Sequence, residues 1–323
     1  MIRKAINWND VDKFYDDLYR KQAENFWLAE EIPVTDDIAC FKELDKNTKE
    51  VFEHILAGLT LLDTEQTSGI TEVGKKTDNL FQKSIISLFA GFESIHARSY
   101  STIFQTLCTT ERINELFDWV EDTKELQNKV NSIISKYQNI DSDDDLFMAM
   151  IGSLCLEGIC FYSGFFLPLL LAGQGKMVNS GEIINLILRD EKLHTVGVGF
   201  FALEELKKRP EDKDKLLKMA KQMILEVYEA EVEYTKVLYK GLEYLIDDVI
   251  KYIQFNVDYT LSCIKLDKHF GIEEKDVNPI VMNGYSIETK THDFFSTKGN
   301  GYLKTTKVED LSDDDFDDFD DLF

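Results

Sequence analysis

The chain carries the spacing Glu-x-x-His twice, as Glu93-Ser94-Ile95-His96 and as Glu191-Lys192-Leu193-His194. On a helix, side chains three and four apart are neighbours. Each motif therefore offers a carboxylate and an imidazole to one point, a pair that can ligate one metal ion. A single Glu-x-x-His is usually an ordinary surface pair. Here, however, Asp63 stands in an apolar run 30 residues before Glu93, and Glu157 in another 34 residues before Glu191. Carboxylate followed by Glu-x-x-His is thus a repeated order. Two-metal carboxylate bundles use that donor set, one acid from each of two helices and Glu-x-x-His from each of the other two. Four carboxylates and two imidazoles suit two iron or two manganese ions. Their four negative charges balance two divalent cations; buried without metal, each unpaired charge would cost several kcal/mol. Tyr100 follows His96 by one turn on the same face. A phenol held dry beside an oxidised dinuclear centre can lose an electron and a proton and persist as a radical. Phe161, Phe165 and Ile187 are candidates for the dry shell and equally for plain core packing.

These residues need long helices to hold them. Only 4 prolines and 17 glycines punctuate 323 residues. Val51, Ile55, Leu56, Leu59 and Leu62 recur at helical spacing, with Asp63 inside the run. Leu80 to Leu107 is hydrophobic nearly all round, which predicts a central helix. Shorter amphipathic helices are expected at Ile113 to Val120 and Leu126 to Tyr137. The next helix, Leu146 to Leu171, carries Glu157 and ends at Gly173 and Gly175. Its most apolar part, Ile159 to Gly173, is short for a membrane span, contains Pro168, and reads as a buried core helix. Asn179-Ser180 opens the helix bearing Glu191 and His194. Helices from Lys213 to Leu245 and from Asp248 to Leu266 complete the set, and residues 267–290 read as loop. Upstream, a helical pattern from Asp10 to Glu24 leads into Phe26-Trp27 and a break at Pro33. Asp141 to Asp145 superficially suggests a calcium loop. Leu146 and Gly152 at its sixth and twelfth positions exclude that, and Ser142 with Asp145 predicts a helix cap instead. The fold class is all-α.

The net charge of −24 excludes nucleic acid and anionic membrane surfaces as direct partners. Five cysteines, Cys40, Cys108, Cys155, Cys160 and Cys263, form no Cys-x-x-Cys. In a chain of this length they read as reduced, mostly buried thiols in a cytosolic protein, and the N-terminus shows no signal-peptide pattern. His54 is expected within helix packing, His269 and His292 at the surface. Glu309 to Phe323 is mostly Asp, with Phe316, Phe319, Leu322 and Phe323 set among the acids. Such a segment cannot bury itself, so disorder is expected, and acidic tails with interspersed aromatics commonly bind partners.

With these motifs assembled, the chain resembles the small, radical-carrying subunit of class I ribonucleotide reductase, from Phe26-Trp27 to the acidic tail. Leu61-Leu62-Asp63-Thr64-Glu65-Gln66 resembles the first ligand helix of that family, and Glu93-x-x-His96-x-x-x-Tyr100 matches two ligands and the radical tyrosine. Leu156-Glu157 followed by Phe161-Tyr162-Ser163-Gly164-Phe165 matches the third ligand helix, and Arg189-Asp190-Glu191-x-x-His194 the fourth. Thr291-His292-Asp293-Phe294-Phe295-Ser296 with Lys298-Gly299-Asn300-Gly301-Tyr302 resembles the class Ib branch.

The resemblance implies a ferritin-like bundle over residues 1–290 and a flexible tail, 291–323, that docks on the large (alpha) subunit. It implies a homodimer in the cytoplasm. It also implies a dimanganese–tyrosyl radical cofactor, formed with a reduced flavodoxin-like activase, and a diiron form as an alternative. All six ligand positions are filled by metal-binding residue types, which argues against the metal-free branch of the family. It further implies radical transfer through Tyr100, Trp27, Asp190 with His96, and Tyr302. On the residues alone, Trp27 reads as a core anchor and Asp190 as a helix salt-bridge partner. The chain departs from many relatives at Thr67-Ser68-Gly69-Ile70. Two other classes compete. A ferritin-like storage or oxidase protein leaves Tyr100 and the tail without a role. A dinuclear hydroxylase or desaturase would consume oxygen with an organic substrate.

Overall fold

The computed structural model describes residues 5–285. Among them there are twelve α-helices and no strand. The helices start where side chains can take up their free amides. Asp12 opens α1 (Lys13–Glu24) by accepting from Phe14 N. Asp45 opens α3 (Lys46–Lys76), which follows the short α2 (Ile38–Glu43), and accepts from the amides of Asn47 and Thr48. Asn79 opens α4 (Leu80–Leu107) by accepting from Phe81 N and Gln82 N. Only residues 77–79 separate α3 from α4, so the two pack along each other as an antiparallel hairpin.

Two amphipathic helices, α5 (Thr110–Asp122) and α6 (Lys124–Gln138), lead to α7 (Asp143–Cys155). The predicted cap of α7 is present in full: Ser142 and Asp145 bond to each other's backbone amides. The single helix expected from Leu146 to Leu171 is in fact two. A π-turn, Leu156–Cys160, joins α7 to α8 (Tyr162–Gly173). Every residue from Leu146 to Leu171 is buried. The segment Asp143–Gly173 is long and apolar enough to cross a membrane, yet its apolar window lies wholly inside the protein.

Helix α9 (Val178–Lys207) begins after Met177, whose φ is 49°, and its cap comes from far along the chain. The Asp37 carboxylate accepts from Asn179 N at 3.2 Å and Ser180 N at 2.7 Å. Helix α10 (Lys213–Leu238) stops earlier than the apolar pattern suggests, because the chain turns at Gly241 with φ +93°. Then come α11 (Ile246–Cys263) and α12 (Pro279–Tyr285). The last lies in the segment expected to be loop; Pro279 occupies its first position, where a missing amide is harmless.

The hairpin α3–α4 and the pair formed by α7–α8 with α9 make up the central four-helix core. Helices α6, α10 and α11 cover the α7–α8 side, and α1 lies across α4 and α9. Phe52, Phe89, Phe104, Phe147, Phe161, Phe165 and Phe166 are fully buried in this core; each is worth about 1.5–3 kcal/mol of apolar transfer. The architecture is a ferritin-like bundle, as expected. The expected tail, 291–323 with Tyr302 and His292, lies outside the described residues.

Candidate metal centre

The four core helices each send polar side chains inward. Asp63 comes from α3, Glu93 and His96 from α4, Glu157 from the π-turn, and Glu191 and His194 from α9. All six are fully buried. They fall into two overlapping sets: Asp63, Glu93, His96 and Glu191, and Glu93, Glu157, Glu191 and His194. Within each set the donor atoms lie within 4.8 Å of one another.

Glu93 and Glu191 belong to both sets. Glu93 places Oε2 3.5 Å from His96 Nδ1 and Oε1 2.7 Å from His194 Nδ1. Glu191 places Oε1 2.8 Å from His96 Nδ1 and Oε2 3.5 Å from His194 Nδ1. Asp63 faces only His96, at 3.6 Å, and Glu157 only His194, at 3.6 Å. The two sequence repeats therefore exchange their glutamates, giving two shared carboxylates in the middle and one acid at each end.

The residues fit two cations. Both oxygens of Asp63, Glu93 and Glu191, Oε2 of Glu157 and Nδ1 of both histidines lack a hydrogen-bond partner despite full burial. Short separations without hydrogen-bond geometry mean donors that converge on a common point. Polar atoms so placed are costly unless a cation completes them.

The electrostatics agree. Burial, then Glu93 and Glu191, push the Asp63 and Glu157 carboxyls well above the usual range. Burial acts the other way on His96 and is outweighed by Asp190, Asp63, Glu191 and Glu93, so its imidazolium is favoured. His194 is raised likewise: burial is overcome by Glu93, Glu157 and Glu191. Glu93 is lowered, because contact with both imidazoles outweighs its burial.

Four side chains, two on each side, fix the orientation of the candidate ligands. His96 Nε2 lies 3.2 Å from Asp190 Oδ2, which leaves Nδ1 for the shared point. The same oxygen accepts from Trp27 Nε1 at 2.8 Å. Trp27 and Asp190 are both buried, and the Trp27 and His96 rings lie 6.1 Å apart. Each dull expectation is therefore partly met: Trp27 does pack in the core, and Asp190 does lie 3.5 Å from Arg189. Neither expectation included the continuous contact from Trp27 to His96.

On the other side, Gln66 Nε2 donates to Glu157 Oε1 and, at 2.8 Å, to Ser153 Oγ. Tyr137 Oη donates to Gln66 Oε1 at 2.6 Å and so decides which way the amide points. Sequence reasoning assigned no role to Gln66 or Tyr137. Gln66 was findable, three residues after Asp63 on the same helix face; Tyr137 comes from a distant helix and carries no such signal.

Tyr100 is fully buried; its hydroxyl interacts with the Asp63 carboxylate but makes no hydrogen bond of good geometry among the described residues. Burial, then the charges of Asp63, Glu191 and Glu93, hold its proton well above the usual phenol range. Phe161, Phe165 and Ile187 are all fully buried. The other described histidines, His54 and His269, stand apart. His54 stacks on Trp119 with ring centroids 4.0 Å apart, and burial takes its pKa down to about 4; His269 is exposed. None of the five cysteines is in a disulfide; Cys155 and Cys160 are buried, while Cys40, Cys108 and Cys263 are only half-buried.

A sequence model described as ribonucleotide reductase, small chain, matches residues 5–279. The chain belongs to the ribonucleotide reductase small-chain family. It is 46% identical over 321 residues to the ribonucleoside-diphosphate reductase subunit beta of Bacillus subtilis, covering 98% of this chain and 96% of that one. It is 32% identical over 314 residues to the ribonucleoside-diphosphate reductase 2 subunit beta of Escherichia coli, covering 96% and 97% respectively. Among solved structures, the dimanganese(II)-NrdF of Streptococcus sanguinis superposes with a TM-score of 0.83 at 35% identity, covering 88% of this chain and all of that one. As a ribonucleotide reductase small chain, the protein is the beta component of an oxidoreductase and works with a large chain. The class Ib expectation agrees with the NrdF likeness.

Proposed function

We propose that Asp63, Glu93, His96, Glu157, Glu191 and His194 hold two manganese or two iron ions, and that Tyr100 carries the radical the large subunit uses to reduce ribonucleotides. The observation that carries this is the sharing of Glu93 and Glu191 between both histidines, which makes one dinuclear centre from two sets. The donor set accepts either metal; the two manganese ions of the Streptococcus sanguinis protein favour manganese. When bound, the ions supply the redox capacity that takes an electron from Tyr100. The protein's own part is to keep that phenol dry and protonated until it is oxidised.

Asp190 holds the His96 ring and joins it to Trp27, so these residues form the inner part of a transfer route. Tyr302 is assigned its outer part. Residues 1–290 form the metal-holding domain, and residues 291–323 dock on the large subunit. A short segment that orders on binding suits reversible assembly, because ordering offsets part of the contact energy. A reduced flavodoxin-like activase supplies the oxidant by passing electrons to dioxygen, and the working form is a cytoplasmic homodimer.

The test is metal analysis with electron paramagnetic resonance on protein from its native host. Two ions per chain and a tyrosyl signal are expected; a metal-free protein with the signal absent sinks the reading. Deleting residues 309–323 is expected to leave the signal and abolish activity with the large subunit. Full activity after that deletion refutes the docking role.

A further inference from the structure

Lys129 of α6 and Glu231 of α10 form an ion pair at 2.7 Å with both side chains fully buried. Nothing in the metal centre uses them. Replacing such a pair by apolar residues is often neutral or stabilising, so stability alone explains it poorly. What the pair touches is more informative. Lys129 Nζ also donates to Cys160 O at 3.1 Å and sits 4.2 Å from the centre of the Tyr234 ring. An ammonium has three donors and no acceptor, and here its partners are Glu231, a carbonyl and a ring face. Cys160 is the last residue of the π-turn Leu156–Cys160, and Glu157 is its second.

That turn is held from another side as well. The Thr260 hydroxyl of α11 lies 3.2 Å from Gly158 O and 2.7 Å from Asn256 O, sharing its proton between them. A Cβ on Gly158 would come within 2.3 Å of the same hydroxyl, so the turn and α11 approach as closely as glycine permits. The register matters because both α7 and α8 pack on α9. A π-turn inserts one residue into a helix. Removing the insertion rotates one side against the other by roughly 100°. Glu157 would then leave His194, or α8 would turn its buried face away from α9.

We propose that Lys129 and Glu231 are positioning residues, clamping the π-turn from outside so that Glu157 Oε2 faces His194. Thr260 assists at Gly158. The inference rests on the dinuclear reading above and predicts an asymmetric defect. Glu157 belongs to only one of the two donor sets, so loosening the turn weakens one ion and spares the other.

The experiment titrates the metal-free, full-length protein with Mn(II) and counts free ion by electron paramagnetic resonance. Lys129→Met with Glu231→Gln removes the clamp without leaving a lone buried charge. The first ion should bind with wild-type affinity and the second about 10- to 100-fold more weakly, with Lys129→Arg restoring much of the loss. Two wild-type constants in the double variant, or an equal loss at both sites, overturn the proposal. Should the double variant fail to fold by circular dichroism, Thr260→Val decides, because it keeps the shape and removes only the hydroxyl. It must weaken the second ion selectively while Thr260→Ser does not; wild-type constants in Thr260→Val overturn the proposal. A wild-type chain that binds fewer than two ions defeats the dinuclear reading itself.

Discussion

Trp27 donates its indole N–H to Asp190 Oδ2 at 2.8 Å, bridging 163 positions of sequence. That oxygen also faces His96 Nε2 at 3.2 Å, so one carboxylate joins a surface-proximal loop to a candidate metal ligand.

Asp190→Asn keeps the size of the side chain and removes its charge. We expect two ions still to bind, with activity alongside the large subunit reduced about 10- to 100-fold, the usual effect of disturbing the partner of a metal-bound histidine. Trp27→Phe should leave the Tyr100 signal intact and abolish turnover with the large subunit. Paired electron paramagnetic resonance and turnover assays check both; normal turnover in Trp27→Phe removes that residue from the route.

Tyr100→Phe should bind two ions and show no tyrosyl signal. Its stability should change by no more than about 1 kcal/mol, because the hydroxyl makes no well-formed hydrogen bond and only its interaction with Asp63 is lost. A tyrosyl signal in the reconstituted variant would place the radical elsewhere.

Tyr137→Phe is the same chemical change with the opposite expectation. Its hydroxyl is the donor to Gln66 Oε1, so removal leaves a buried acceptor unsatisfied, at about 1–3 kcal/mol. The freed Gln66 amide no longer presents Nε2 to Glu157. Urea denaturation of the metal-free protein measures the first effect, and Mn(II) titration the second. Unchanged stability would mean that the amide has another donor.

Metal uptake should release protons. Without cations, burial and neighbouring acids favour protonated Asp63 and Glu157, and the surrounding carboxylates favour imidazolium at His96 and His194. Cations and protons then compete for the same atoms, so affinity rises with pH and falls on acidification. Calorimetry in buffers of different ionisation enthalpy should give binding heats that differ by the proton count; identical heats would refute proton release.

The helices and the candidate ligands were legible because both depend on spacing within one element. Val51 to Leu62 repeat at helical intervals, and Glu93, His96 and Tyr100 share a face whatever surrounds them. The π-turn at Leu156–Cys160 was not legible, since an unbroken apolar run fits either geometry equally well. The early end of α10 and the existence of α12 were missed for a related reason: Gly241 and Pro279 act locally, against the trend of the residues around them. Cys40, Cys108 and Cys263 are less buried than expected, because a single cysteine carries no periodicity to place it.

The sequence by itself determined the donor set, its order along four helices and the tyrosine one turn from His96. Intrahelical geometry is fixed by a constant rise and twist, so those relations needed no fold. Only the tertiary structure decided that Glu93 and Glu191 are shared, that Asp190 joins Trp27 to His96, and that Tyr137 and Lys129 reach the Glu157 side. These depend on how separate helices meet, which is settled by side chains packing across the core and is not encoded in any local spacing.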